Sequence, residues 1–119
     1  MISRRHRFVG PLSLRYVYKK GRTARGPLFS IKTAPNNRRS TYRAAVVVSR
    51  KVHKSAVARN RIRRRLYEIV RRLEKDIPGP FDIVITVYSG DVLTEPAKNL
   101  DRQLRRQLAD AEVLAKRLS

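Results

Sequence analysis

From Ala58 to Leu73, six apolar residues (Ala58, Ile62, Leu66, Ile69, Val70 and Leu73) recur at i, i+4, i+8, i+11, i+12 and i+15. At about 100° per residue these positions form one stripe along an α-helix. The spacing predicts a helix from about Ser55 to Lys75, stopped by Pro78-Gly79-Pro80. Such a helix draws most of its stability from laying its stripe on other apolar surface, so the rest of the chain must supply that surface. The flanks of the stripe are densely basic. Arg59, Arg63 and Tyr67 form a row beside it, Arg61, Arg65 and Arg72 follow the other flank, and Asn60, Arg64 and Arg71 point away from the core. Glu68 stands four residues from both Arg64 and Arg72, the spacing of a surface ion pair.

The charge extends beyond this helix. Among 119 residues, 29 Lys and Arg oppose 9 Asp and Glu, a formal net charge of +20. Self-repulsion at that level opposes compaction, and a polyanionic partner relieves it. Nucleic acid fits best, because arginine forks bind phosphates bidentately, stack on bases and release counterions. An anionic membrane surface fits less well: no lipidation motif is present and no helix has a Trp- or Phe-rich apolar face. The chain has no cysteine, which excludes disulfides and Cys-based metal sites and accords with a cytoplasmic location. The basic run Met1–Arg7 has no apolar run behind it and does not read as a signal peptide, and no stretch is long enough for a transmembrane helix.

Residues 1–11 read as a flexible basic arm and 12–119 as one domain. Leu14, Val17 and Tyr18 share one helical face, with Gly21 as the stop. Arg22 to Arg25 reads as a very short strand. Leu28 to Thr33 reads as a strand with Leu28, Ser30 and Lys32 on one face and Phe29 and Ile31 on the other; Tyr42 to Ser49 reads as a second. These two are expected to pair as a hairpin. Phe81 to Tyr88 is the strand densest in β-branched residues, and Ser89-Gly90-Asp91 is a turn. Thr94 is placed to cap a last helix with Pro96 in its first turn and Leu100, Leu104, Leu108, Ala111 and Leu118 as its stripe. The order helix–strands–helix–strand–helix implies an α+β fold, a single-domain α/β sandwich around a central sheet.

Val47-Val48-Ser49-Arg50-Lys51-Val52, leading into Ala56-Val57-Ala58-Arg59-Asn60-Arg61-Ile62-Arg63-Arg64-Arg65-Leu66, resembles the signature of the bacterial ribonuclease P protein family. In that family a strand ending in Val-Ser-Lys-Lys precedes an Arg-Asn-Arg helix. Leu14-Arg15-Tyr16-Val17-Tyr18-Lys19-Lys20-Gly21 resembles the family's first helix, and Pro80-Phe81-Asp82-Ile83-Val84-Ile85 its last strand. The resemblance runs from about Phe8 to Leu108.

It implies a protein subunit, expected once per RNA, that joins a catalytic RNA to remove the 5′ leader of precursor tRNA, an endonucleolytic hydrolysis. The RNA would supply the active site and its Mg²⁺, and the protein itself would bind no cofactor. Carried onto this chain, Arg61, Arg64, Arg65, Arg71 and Arg72 would bind the catalytic RNA. The leader would lie in a cleft lined by Leu14, Tyr18, Ser30, Lys32, Val47, Lys51, Arg59, Asn60, Arg63 and Tyr67. The implied fold resembles the second domain of ribosomal protein S5, with a left-handed crossover through the Arg-rich helix. Generic rules favour the right hand. The chain departs from the family at three cleft positions. Leu14 stands where Phe is usual, Lys32 where an aromatic is common, and Tyr67 where Arg is common. Stacking contributes about 1–3 kcal/mol per base, so leader recognition here is expected to lean on charge, with Tyr18 and Tyr67 supplying the aromatic surface.

No residue stands out as catalytic or metal-binding. His6 lies in the arm and His53 in a basic loop, without a paired carboxylate nearby, and most acidic residues follow Leu66. The alternatives are a structural ribosomal RNA-binding protein of similar size and charge, a stand-alone nuclease lacking an evident acid/base set, and a DNA-binding protein lacking helix-turn-helix spacing.

Overall fold

The computed structural model of the chain describes residues 17–19, 21–36, 41–77, 79–111 and 113. The expected arm over 1–11, Leu14 and Leu118 lie outside the described residues. After a helical segment at residues 17–19 come β1 (Arg22–Arg25), β2 (Phe29–Pro35), β3 (Arg43–Val48), α1 (Ala56–Leu73), β4 (Phe81–Val87) and α2 (Ala97–Asp110). Short 3-10 turns at Glu74–Asp76 and Gly90–Leu93 follow α1 and precede α2.

The sheet runs β1-β2-β4-β3. β2 is antiparallel to both β1 and β4, and β3 is parallel to β4. The expected hairpin between Leu28–Thr33 and Tyr42–Ser49 does not form, because β4 lies between them. The physical reason is in β4 itself: Ile83, Val84 and Ile85 are all fully buried, so it is apolar on both faces. A strand of that kind takes the centre of a sheet, while alternating strands such as β3 suffice at an edge. The connection from β3 to β4 passes through α1, the crossover that parallel neighbours require.

The stripe foreseen on α1 is the buried one: Ala58, Ile62, Leu66, Ile69, Val70 and Leu73. All but Ala58 join one core with Phe29, Ile31, Val46, Val48, Ile83 and Ile85 of the sheet and Leu100, Leu104 and Leu108 of α2. Each such side chain stabilises the fold by about 1.5–3 kcal/mol. Ser55 caps α1, its hydroxyl accepting the Ala58 N–H at 3.2 Å. Thr94 does not cap α2. It closes the preceding 3-10 turn, and Pro96 takes the cap position without a side-chain bond.

The opposite face of the sheet is only partly covered. Val17 packs on Ala34 and Val84, with Val47 beside them. Gly21 turns the chain from the helical segment into β1, its N–H on the Val17 carbonyl at 2.7 Å. A side chain at Gly21 would run into the backbone carbonyls of Val17 and Thr33. At one end of this face Asp82 is buried in a bidentate pair with Arg43, at 2.9 and 2.8 Å.

Candidate nucleic-acid interface

The strand registers assemble a surface from residues distant in sequence. Ser30 pairs with Thr86, and Thr86 with Val47, so the three cross the sheet in one row, with Arg25 beyond Ser30. Period-two alternation turns this row away from the core that Ile31, Ile85 and Val46 fill. Ser30, Val47 and Thr86 are half-buried. Tyr18 stands at the border of the row, 41% exposed, with its hydroxyl 3.4 Å from Thr86 Oγ1. Lys32 holds it there: the ammonium donates to the Tyr18 carbonyl at 2.7 Å and sits 5.7 Å from the ring centroid, within cation–π range. Thr86 was not foreseen. Its alternation with Ile85 and Val87 is visible in the sequence, but only the insertion of β4 between β2 and β3 brings it to the middle of the row.

The second wall comes from α1. Arg59, Arg63 and Tyr67 do lie in one half-buried row, as the helical wheel implies. Tyr67 Oη accepts the Val46 N–H at 3.1 Å, and Arg63 Nη2 donates to the Val48 carbonyl at 3.4 Å. Both are groups of β3, the outer strand, so the helix caps the sheet edge and meets the open face there. Arg63 also donates to Asn60 Oδ1 at 2.8 Å. Arg59 Nη1 donates to the carbonyls of His53 and Lys54, both at 2.9 Å, folding the loop that carries Lys51 back onto the helix. With five donors on each guanidinium, both arginines keep N–H groups for a further acceptor. The structure thus brings Tyr18, Ser30, Lys32, Val47, Arg59, Arg63 and Tyr67 around the face and outer edge of β3, with Asn60 and Lys51 exposed beside them.

The remaining arginines of α1 divide. Arg61, Arg64 and Arg72 are exposed and make no hydrogen bond or ion pair among the described residues. Arg71 pairs with Glu68 at 3.4 Å. This is i+3; of the two partners that the spacing had suggested for Glu68, Arg72 also acts on its carboxylate electrostatically. Arg65 differs from the set in which sequence placed it. Its guanidinium donates to the carbonyls of Val92 at 2.6 Å, Leu93 at 3.0 Å and Glu95 at 2.5 Å. It clasps the segment leading into α2, and little of its fork remains for an outside ligand.

Several groups capable of proton transfer are engaged in structural bonds. Asp82 holds Arg43, Asp101 accepts from Arg105, and His53 Nδ1 accepts the Ser55 N–H. The Tyr42 hydroxyl donates to Glu74 at 2.9 Å. Burial first, and then that bond, push its pKa well above the ordinary tyrosine range. Among the described residues, no group of three or more His, Cys, Asp or Glu lies together in a way that could hold a metal ion. No described helix is long and apolar enough to cross a membrane.

Residues 2–112 match the family model described as Ribonuclease P. The ribonuclease P protein component of Chloroflexus aurantiacus is 37% identical over 111 residues, covering 93% of this chain and 81% of that one. The corresponding component of a Pseudanabaena species is 38% identical over 99 residues, covering 82% and 84%. Among solved structures, the RNase P protein of Staphylococcus aureus superposes with a TM-score of 0.80 over 92% of this chain and 97% of that one, at 24% identity, a likeness of fold.

Proposed function

Since the chain belongs to the ribonuclease P protein family, we propose that it is the protein component of a ribonuclease P. In this reading it assists an RNA that carries the active site and removes the 5′ leader of precursor tRNA. The ribosomal alternative lapses with the family assignment. One protein per RNA and a cytoplasmic setting complete the proposal. Mg²⁺, where the reaction needs it, is held by the RNA. Asp82, Asp101, Glu74 and Glu95 accept from Arg43, Arg105, Tyr42 and Asn99 respectively, which supports a binding role over a catalytic one.

The observation that carries the reading is the junction at the outer edge of β3. There the half-buried row Ser30–Thr86–Val47 meets the row Arg59–Arg63–Tyr67. A single-stranded leader laid along this junction meets apolar and hydroxyl surface on one side and guanidinium donors on the other, the combination that suits unpaired RNA. Tyr18 offers the exposed ring, and Lys32, anchored to it, offers the charge. Arg61 and Arg64, on the exposed side of α1, are free to take phosphates of the catalytic RNA, and Arg71 and Arg72, beside Glu68, join them at the end of the helix. Leu14, which lies outside the described residues, joins the proposed cleft by resemblance to the family alone. One protein face then holds the substrate while another holds the RNA that cuts it, which aligns the two.

The test is reconstitution. Rigorously RNA-free protein is expected to leave precursor tRNA intact. Added to a bacterial ribonuclease P RNA at low Mg²⁺, it is expected to raise the cleavage rate at the 5′ end of the mature tRNA. Cleavage by the RNA-free protein, or no effect on the RNA's activity, overturns the proposal.

A further inference from the structure

α1 and α2 face each other across an open groove on the side of α1 away from β3. Arg72 lines it from α1, and Lys98, Asp101, Arg102 and Arg105 line it from α2. It continues past Arg72 and Ala97 to Arg64 and Glu68. The charges do not balance. Asp101 accepts from Arg105 at 2.9 Å, and Arg105 also reaches Asp76 at 3.8 Å, so those carboxylates are engaged. Glu68 lies beside Arg71 and Arg72 and offsets their charge, but Arg64, Lys98 and Arg102 are exposed and have no hydrogen bond or ion pair among the described residues. Three unmatched cations on facing helices, with Arg72 close by, repel one another unless an anion lies between them. A second observation points the same way. α2 begins at this groove with Pro96 as its cap and no side-chain cap bond, so the positive end of the helix dipole adds to the field, offset in part by the Glu95 carboxylate that Asn99 holds beside the first turn.

We propose that this groove seats a run of RNA phosphates, extending the catalytic-RNA interface from α1 onto α2, with Lys98 and Arg102 as contact residues. Lys98 and Arg102 are four residues apart, a rise of about 6 Å, so they address two successive phosphates while Arg72 approaches from the opposite wall. The groove adjoins the exposed ridge of Arg61 and Arg64, so one RNA element can run continuously over both. The inference rests on the reading of the partner as the catalytic RNA, and the test separates the two.

Affinity of the full-length protein for a bacterial ribonuclease P RNA is measured across a salt series, for the wild type, for Arg61→Ala and for the double variant Lys98→Gln/Arg102→Gln. Thermal unfolding should not change in the double variant, because both side chains are exposed and unbonded. Each lost phosphate contact lowers the slope of log affinity against log salt by about 0.7–0.9 and weakens binding about fivefold to tenfold near 0.1 M salt. The double variant should therefore lose about 1.5 units of slope. If Arg61→Ala lowers the slope and the double variant does not, the groove is a solvated surface and this inference fails alone. If neither lowers it, the catalytic-RNA reading of α1 fails with it. If the double variant binds the catalytic RNA normally but loses affinity for precursor tRNA in the assembled enzyme, the groove holds substrate and the assignment is overturned.

Discussion

Tyr67 of α1 accepts, through its hydroxyl, the backbone N–H of Val46 on the outer strand β3, at 3.1 Å. An edge strand exposes unpaired backbone groups that invite non-native pairing. Here a side chain of the RNA-binding helix closes one of them. The same bond fixes the phenol ring beside the open face, so a feature of sheet integrity also sets the geometry of the cleft.

Tyr67→Phe keeps the ring and removes the acceptor. Val46 is buried, so its N–H is left without its partner, and the fold should lose about 1 kcal/mol. Denaturant unfolding measures the loss. Hydrogen exchange at the Val46 amide should accelerate more than at Ile85, which lies inside the sheet.

Arg61 and Arg65 carry the same charge on the same helix but differ in engagement. Arg61→Ala should weaken binding to the catalytic RNA and lower the salt slope by about one unit, with unfolding unchanged. Arg65→Met should do the reverse. It frees the carbonyls of Val92, Leu93 and Glu95, costing about 1.5–3 kcal/mol of stability, and changes the slope little. Equal slope changes from the two substitutions would show that the clasp opens when RNA binds.

That contrast marks where sequence reading stopped. Helical periodicity identified the buried stripe of α1 and both of its flanks, because 3.6 residues per turn fixes them locally. It could not say what each arginine would touch. The partners of Arg65 lie 27 to 30 residues further along the chain, beyond any local pattern. The sheet shows the same limit. The alternation of Phe29 with Ser30, and of Ile85 with Thr86, was legible, but strand order was not. The two-faced burial of β4 decided it, against the preference for pairing sequence neighbours. Gln107 is a further case. A stripe of leucines marks α2, yet this polar residue is buried with them. It donates to the carbonyls of Ala24 and Phe29 at 3.1 and 2.9 Å, tying α2 to the β1–β2 turn.

Lys32 anchors Tyr18 through one donor and has others for a phosphate. In the assembled enzyme, Lys32→Ala should weaken binding of a precursor tRNA with a long leader, flatten its salt dependence, and leave a leaderless substrate unchanged. Equal losses for both substrates would assign Lys32 to general assembly instead of the leader.

The raised acidity threshold of Tyr42 has a defined sign. Because its phenol is held protonated in the fold, its contribution to stability is complete below about pH 10, the unfolded value. It declines as pH rises toward the higher folded value. The stability difference between wild type and Tyr42→Phe should therefore be constant through neutral pH and shift against the wild type above pH 10. Urea unfolding at pH 7 and above pH 10 measures it; a constant difference would mean that the phenol ionises alike in both states.

The central claim is that two faces of one small protein hold two different RNAs, and site-specific crosslinking tests it most directly. The chain contains no cysteine, so Thr86→Cys and Arg61→Cys each give a single attachment point for a photo-crosslinker. In complexes with catalytic RNA and a leader-bearing precursor tRNA, the account predicts that position 86 crosslinks to the leader and position 61 to the catalytic RNA. Crosslinks from position 86 to the catalytic RNA alone, or from position 61 to the leader, would contradict it.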